Sequence, residues 1–316
     1  MILERKRILE QLGGINEPVV KNKEWIYLLE EETRNSILIE GFFIDKNELK
    51  NVLNKGLSQT RSQQEAYNYF STARFVYGLA YQNFKENEFY LNIPLIRQIN
   101  KELGYTGEFR KGEVRIAGSG FIPPEFNLND WLKCFVDFVN GFVSESDSDF
   151  IEKLCVSHAF FEEIHPFEDG NGRTGRILLN YILISKGYPL VIIKGVERDK
   201  QKYYKALEEI DNQHQALFTK FKTQVPHKEY VFEVLQKTKA DQLKKMIENA
   251  LRESMDRIIL ERLEQKGEKL KPVSELLSTR GYKEGSHRKL IERGKIIAVK
   301  KNNTWFSTEN IVMKFL

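Results

Sequence analysis

The stretch from His165 to Arg176 reads HPFEDGNGRTGR. In it, a loop holding Gly170, Asn171 and Gly172 leads into a helix expected to begin near Gly172 or Arg173. Glycines let backbone N–H groups turn toward a ligand, and a helix N-terminus adds unpaired donors and a partial positive charge. Arg173 and Arg176 stand three apart and so share a helix face, where two guanidiniums suit a polyphosphate. Asp169 offers a hard oxygen ligand of the kind Mg²⁺ prefers when it sits on phosphates. His165, at the start of the loop, can act as a general base toward a hydroxyl. Pro166 and Phe167 anchor the loop to the core. Base, metal ligand, anion nest and two arginines in one segment suit attack of a hydroxyl on a nucleotide phosphate.

The elements around this loop read as helices. Ile151, Leu154, Cys155, His158 and Phe161 repeat with helical spacing, and Pro166 ends that helix at about Ile164. His158, on its apolar face, reads as a core histidine. After the loop, RILLNYILISKG is apolar almost all round, which predicts a buried central helix closed by Gly187. Further helices are expected over 66–85, 95–103, 130–142 with Asn129 or Asp130 as N-cap, 202–210 and much of 229–265. Residues 110–126, RKGEVRIAGSGFIPPEF, carry Gly, paired Pro and one short alternating run, Val114-Arg115-Ile116, which reads as a loop or hairpin.

Composition narrows the classes. The chain has 316 residues, 41% apolar and 12% aromatic, enough for a sizeable core in one large or two ordinary domains. Two cysteines, Cys134 and Cys155, exclude a disulfide scaffold and a Cys-rich zinc site. The N-terminus, MILERKRILEQL, has charges where a signal peptide needs an apolar core. The most apolar stretch, 177–193, is broken by Lys186, Gly187 and Pro189. A soluble, cytoplasmic protein with no membrane partner is expected.

The His165–Arg176 segment resembles the signature of the Fic (filamentation induced by cAMP) family, HPF-x-D-G-N-G-R-x-x-R, with every fixed position filled. The resemblance extends to SHAFFEEIHPF before it and to the Gly112–Pro124 stretch, which looks like the family's flap with Val114, Arg115 and Ile116 pairing a target segment as a strand. Tyr203 and Tyr204 look like the region lining the adenine pocket. The resemblance implies a mainly α fold, a Fic-type helical core with a β-hairpin flap. It implies transfer of AMP from ATP, with Mg²⁺, to a Ser, Thr or Tyr hydroxyl of a protein, the chain itself among the candidates. His165 would deprotonate the acceptor and Asp169 would hold Mg²⁺. Gly170, Asn171 and Gly172 would cradle phosphates, while Arg173 and Arg176 neutralise them. Removal of AMP, another nucleotide donor, and a homodimer all remain compatible with the sequence.

Residues 36–41, SILIEG, resemble the inhibitory motif of the same family, [S/T]xxxE[G/N], on Ser36, Glu40 and Gly41. Glu40 at a helix end would pair with Arg176, removing that arginine from the phosphate site and putting a carboxylate in its place.

The tail differs in charge. The whole chain carries a net charge of +4, but from Lys269 onward there are 11 Lys and Arg against 4 Asp and Glu, a net of +7, and the rest sums to −3. Pro272 suits the first turn of a helix, Ser286 caps a second closed by Gly294, and residues 296–306 around Asn302-Asn303 carry a hairpin signal. This looks like a winged helix-turn-helix of the excisionase kind, with a longer turn, STRGYKEG. DNA is then a candidate partner through His287, Arg288 and Lys289 on the second helix and Lys300 and Lys301 on the wing, and a DNA-bound regulator using the core as a switch is an alternative reading. The sequence thus divides into a helical region with the inhibitory motif (1–110), a catalytic core (111–225), a helical connector (226–268) and the tail domain (269–316).

Overall fold

Helical spacing of apolar residues pervades the chain, and the chain folds accordingly. The structure is a computed structural model that describes residues 1–19, 21–56, 58–116, 119–144, 149–279, 281–283 and 285–315. The helices are α1 (Ile2–Gln11), α2 (Lys23–Ile39), α3 (Lys46–Lys55), α4 (Arg61–Glu86), α5 (Ile93–Glu102), α6 (Leu128–Ser144), α7 (Phe150–Ile164), α8 (Asn171–Ser185), α9 (Glu197–Lys220), α10 (Lys228–Lys237) and α11 (Asp241–Gln265). The C-terminal stretch adds β1 (Lys271–Pro272), α12 (Val273–Ser278), α13 (Ser286–Glu292), β2 (Val299–Lys301), β3 (Thr304–Ser307) and α14 (Glu309–Phe315). No helix among the described residues is long and apolar enough to cross a membrane. Two compact units emerge, Glu17–Ile247 and a second joining Met1–Asn16 to Glu248–Leu316. Packing therefore groups the first helix with the C-terminal stretch, where charge and motifs divide the chain at 110, 225 and 268.

In the larger unit α8 is buried along nearly its whole length, as its all-round apolar sequence predicts. Helices α4 and α7 lie along it, with α2 and α5 also in contact. Its mid-helix amide, Asn180, is satisfied: Nδ2 donates to the Val191 carbonyl at 3.1 Å and Oδ1 accepts from the Val191 N–H at 2.7 Å. Trp131 of α6, fully buried, stacks on Phe218 of α9 at 4.6 Å between ring centres and meets Phe160 of α7 edge-on at 6.1 Å. One indole thus sets α7, whose end carries His165, against two neighbours. The start of α6 lies at Leu128, so Asn129 and Asp130 sit inside its first turn instead of capping it. Both cysteines are buried.

In the smaller unit Arg5 of α1 is fully buried. It donates to Asp256 of α11 at 2.6 Å and to the carbonyls of Gly294 at 2.9 Å and Ile296 at 3.1 Å. The strands form an antiparallel sheet in the order β1-β3-β2. Asn302 and Asn303 both adopt positive φ, 47° and 64°, the geometry a two-residue hairpin turn demands. Val273, Leu276, Leu277, Ile296, Ala298 and Val312 make the core. Two tail expectations are corrected. Pro272 is extended at φ −56°, ψ 131° and pairs with Phe306, so it precedes α12 instead of opening it. Ser286 lies within α13, whose N-cap is Gly285, and its hydroxyl donates to the Lys283 carbonyl at 2.7 Å.

Trp131→Ala should destabilise the larger unit by about 3–5 kcal/mol, the usual loss for deleting a large buried aromatic. Urea unfolding followed by circular dichroism checks this, and a change under about 1 kcal/mol would refute the role given to the indole.

Candidate active site

Helix α7 ends on His165, which takes the left-handed conformation at φ 47°, ψ 58°. A non-glycine residue rarely sits there, and the loop must hold it. The His165 Nδ1 lies 3.1 Å from the Glu162 carbonyl. A carbonyl oxygen only accepts, so Nδ1 carries the proton and Nε2 keeps the lone pair of a base. Burial holds the imidazole pKa below its ordinary value, which favours the neutral form a base needs.

Short-range bonds shape the loop that follows. Phe167 pairs with Phe109 as an isolated antiparallel bridge and packs ring on ring at 5.9 Å. The Asn171 side chain spans back to the Phe167 backbone, accepting at 2.9 Å and donating at 2.8 Å. Both its polar atoms are engaged in the loop, which leaves its backbone N–H for an anion. Gly170 sits at φ 80°, and a Cβ there would come within 2.6 Å of the Tyr105 ring, so only glycine fits. Asp169 accepts from the Gly170 N–H at 2.6 Å and from Arg173 at 3.3 Å, and its side chain stays 56% exposed.

The two arginines face different carboxylates. Arg173 is buried, pairs with Glu65 and lies over the rings of Tyr105 at 5.1 Å and Phe42 at 5.8 Å. Arg176 is buried against the end of α2. Its Nε donates to Ser36 Oγ at 2.7 Å, and its Nη2 donates to the Ser36 carbonyl at 3.1 Å and to Glu40 Oε1 at 2.7 Å. Ser36 and Glu40 are four apart and share one face of α2, while Gly41 at φ 89° ends the helix. A Cβ on Gly172 would lie 2.8 Å from Glu40 Oε1. The absent side chain thus lets the carboxylate rest over the N-terminal turn of α8. Burial works against ionised Glu40, but Arg176 outweighs it and holds its pKa below the ordinary value. Glu40 therefore occupies, as an anion, the position to which helix terminus and arginine both draw negative charge.

Other expected site residues fall around this centre. Tyr203 is buried, its hydroxyl 2.7 Å from Nε2 of His158, and burial lowers the His158 pKa to about 3. Tyr204 beside it is half-buried, with Lys200 over its ring at 5.6 Å. Residues 114–116 take no strand pairing among the described residues, although exposure alternates from 111 to 116 as in an extended chain, and Ala117 and Gly118 lie outside the described residues. Ser119 reaches Asp211 at 3.4 Å and Phe121 packs edge-on against Phe218 at 5.1 Å. Residues 287–289 are on α13, and Lys300 and Lys301 are on β2.

Four residues of the centre were assigned no role from the sequence: Glu65, Tyr105, Arg110 and Glu162. Glu162, one turn before His165, is a carboxyl that burial pushes up to about 7 despite Arg176. Arg110 binds the carbonyls of Gly112, Pro124, Ile164 and His165.

Residues 90–183, from just before α5 through most of α8, match the model of the Fic/DOC family. Among curated relatives, a protein of Aquifex aeolicus named "probable protein adenylyltransferase" is 34% identical over 190 residues, covering 58% of this chain and 56% of that one. The Drosophila melanogaster "protein adenylyltransferase Fic" is 34% identical over 137 residues, covering 38% and 27%. The chain thus spans about half the length of the first relative and about a quarter of the second. A Fic-domain-containing signalling protein of Bacteroides thetaiotaomicron superposes with a TM-score of 0.65 at 21% identity, covering 85% of this chain and 97% of that one. Caenorhabditis elegans Fic-1 superposes at 0.58 and 18% identity, covering 82% and 70%. At these identities the structures establish a common fold, mainly helical.

Glu40→Gln should lower stability by about 1–3 kcal/mol at pH 7, the scale of a part-buried hydrogen bond between charged groups. Because the folded pKa of Glu40 lies below its unfolded value, its contribution is complete above 4.5 and fades as pH falls through the folded value. The stability gap between wild type and Glu40→Gln should therefore close in acid. Urea titrations at a series of pH values test this, and a gap constant with pH would contradict it.

Proposed function

We propose that this chain is a protein adenylyltransferase that moves AMP from ATP to a Ser, Thr or Tyr hydroxyl of a protein and is restrained by Glu40. The observation that carries the reading is the Glu40–Arg176 pair laid over the N-terminus of α8, at the far end of a loop that begins with the free Nε2 of His165. Nε2 takes the proton of the acceptor hydroxyl, and its oxygen bonds to the α-phosphorus. The bond from that phosphorus to the bridging oxygen breaks, and pyrophosphate leaves with the electron pair. The N–H groups at the start of α8 and the two guanidiniums hold the phosphates and stabilise the charge that builds up on them. Arg176 is available for this once Glu40 yields its place.

Among the described residues no three His, Cys, Asp or Glu side chains gather as a metal cage. A magnesium ion on a polyphosphate needs only one or two protein carboxylates, and the half-exposed Asp169 suits that. Such an ion would supply charge neutralisation at the phosphates. The partners on this reading are a hydroxyl-bearing protein, the chain itself included, in the cytoplasm.

Glu40→Gly protein incubated with ATP and Mg²⁺ should gain the mass of one AMP group by mass spectrometry, and wild type far less. Equal labelling of the two would sink the restraint by Glu40. Loss of AMP from a modified protein, or a gain from a different nucleotide, would assign the reverse or a related transfer. Adding His165→Ala should cut the rate roughly 10²- to 10⁴-fold while ATP still binds in calorimetry.

A second reading concerns the C-terminal stretch. A cavity of about 580 Å³ between α13 and the hairpin is lined by His287, Arg288, Lys300 and Trp305 among others. Arg288 and Lys300, one from each element, around one hollow support duplex DNA as a partner, with Lys289 and Lys301 on the same helix and strand. If so, full-length protein should bind duplex in a filter assay with an affinity that falls as salt rises, and Arg288→Ala with Lys300→Ala should flatten that dependence.

A further inference from the structure

Arg110 is 4% exposed, and its side chain donates to four main-chain carbonyls. Two belong to Gly112 and Pro124, the two ends of the 112–124 loop. The other two belong to Ile164 at 3.3 Å and His165 at 2.7 Å, where α7 ends. These last carbonyls have no partner within the helix. The backbone adds a fifth tie, the Arg110 N–H donating to Pro166 at 3.0 Å. A planar guanidinium with five donors in a fixed fork can span carbonyls from three directions, and an ammonium on a flexible stem cannot.

We propose that Arg110 is a positioning residue that clamps both ends of the 112–124 loop to the backbone of His165, so that the segment presenting the acceptor and the base that deprotonates it move as one body. This rests on the transferase reading above. The loop has further anchors at Ser119 on Asp211 and Phe121 on Phe218, but neither touches His165. Arg110 also bears on the base through its charge. The charged groups facing His165 are Arg110, Glu40 from the end of α2 and Asp169 from its own loop. Arg110 works against imidazolium, and the two carboxylates favour it.

The test compares Arg110→Met and Arg110→Lys in the Glu40→Gly protein, with ATP and Mg²⁺ as probe and self-modification as the reaction. Both should lose roughly 10²-fold in transfer rate, the scale of a small misplacement of reacting groups, with ATP affinity in calorimetry unchanged. Arg110→Met should also move the acid limb of the pH–rate profile upward, because His165 then holds its proton to higher pH. Arg110→Lys, which keeps the charge, should leave the limb in place. In otherwise wild-type protein, Arg110→Lys should speed hydrogen exchange in the 111–124 segment relative to the rest of residues 90–183. Transfer by either variant at the parent rate would overturn the proposal, as would a rate loss matched by lost ATP binding, or unchanged exchange. Should Arg110→Met not fold, the Lys variant carries the rate and exchange arms alone. A Glu40→Gly parent that transfers nothing would refute the transferase reading, and the exchange arm would still decide the clamp.

Discussion

A buried guanidinium must have partners for its charge and its donors, and Arg176 finds them in Ser36 and the Glu40 carboxylate. Leaving either charge unpaired in that setting costs several kcal/mol, so the pair forms by default. The same physics makes the site attractive to phosphate, because the arginine and the N-terminal turn of α8 draw any negative charge that fits. Only one occupant can satisfy them. Gly172 leaves the room for Glu40, and Ser36 keeps the guanidinium oriented through two of its nitrogens. On the proposed function, inhibition and catalysis would be two ways of filling one electrostatic demand.

What could be read in advance follows from how the site is built. His165 to Arg176 is contiguous, so its base, glycine turn and paired arginines keep their spatial relation in the linear order. Glu40 is far away in sequence, yet its helix end and its spacing from Ser36 fix the face it presents, and the expected partner Arg176 is the one it meets at 2.7 Å. Arg110 left no such trace. It binds main-chain carbonyls, and every residue has one, so no partner's identity marks the contact. Glu65 and Tyr105 were hidden for a related reason: they reach Arg173 from α4 and from the turn after α5, with no periodic or local pattern that requires it. Asn171 belongs between these cases. Its place in the glycine loop was legible, but its side chain ties the loop to Phe167.

The division of the chain shows the same contrast between composition and packing. Charge separates the last 48 residues as a basic module of +7. Contacts instead join that stretch to α1 and most of α11, because Arg5 is buried among Asp256 and the carbonyls of Gly294 and Ile296. An arginine buried at this depth is costly to separate from its partners, so it decides which segments fold together even though it barely changes the charge sum. The hairpin at Asn302-Asn303 was legible because positive φ at two successive residues selects asparagine. Proline at 272 was not, since the fixed φ that suits a first helical turn equally suits the extended residue before it.

The Glu40 competition is confined to a small part of α2, and the packing of that helix shows why. Trp25, Leu28, Leu29, Ile37 and Ile39 are buried along it, each contributing about 1.5–3 kcal/mol relative to exposure. Gly195 locks it further, accepting no side chain because a Cβ would come within 2.5 Å of the Asn35 carbonyl, while its N–H donates to Asn35 Oδ1 at 3.0 Å. Detaching the helix would expose as much apolar surface as the net stability of an ordinary domain can offset. Glu40, by contrast, is the residue at which α2 stops, its side chain is 28% exposed, and Gly41 behind it carries the left-handed turn. On the proposed function, rotation of one side chain at a helix end would vacate Arg176 without disturbing Ser36, which would stay to orient the guanidinium toward phosphate.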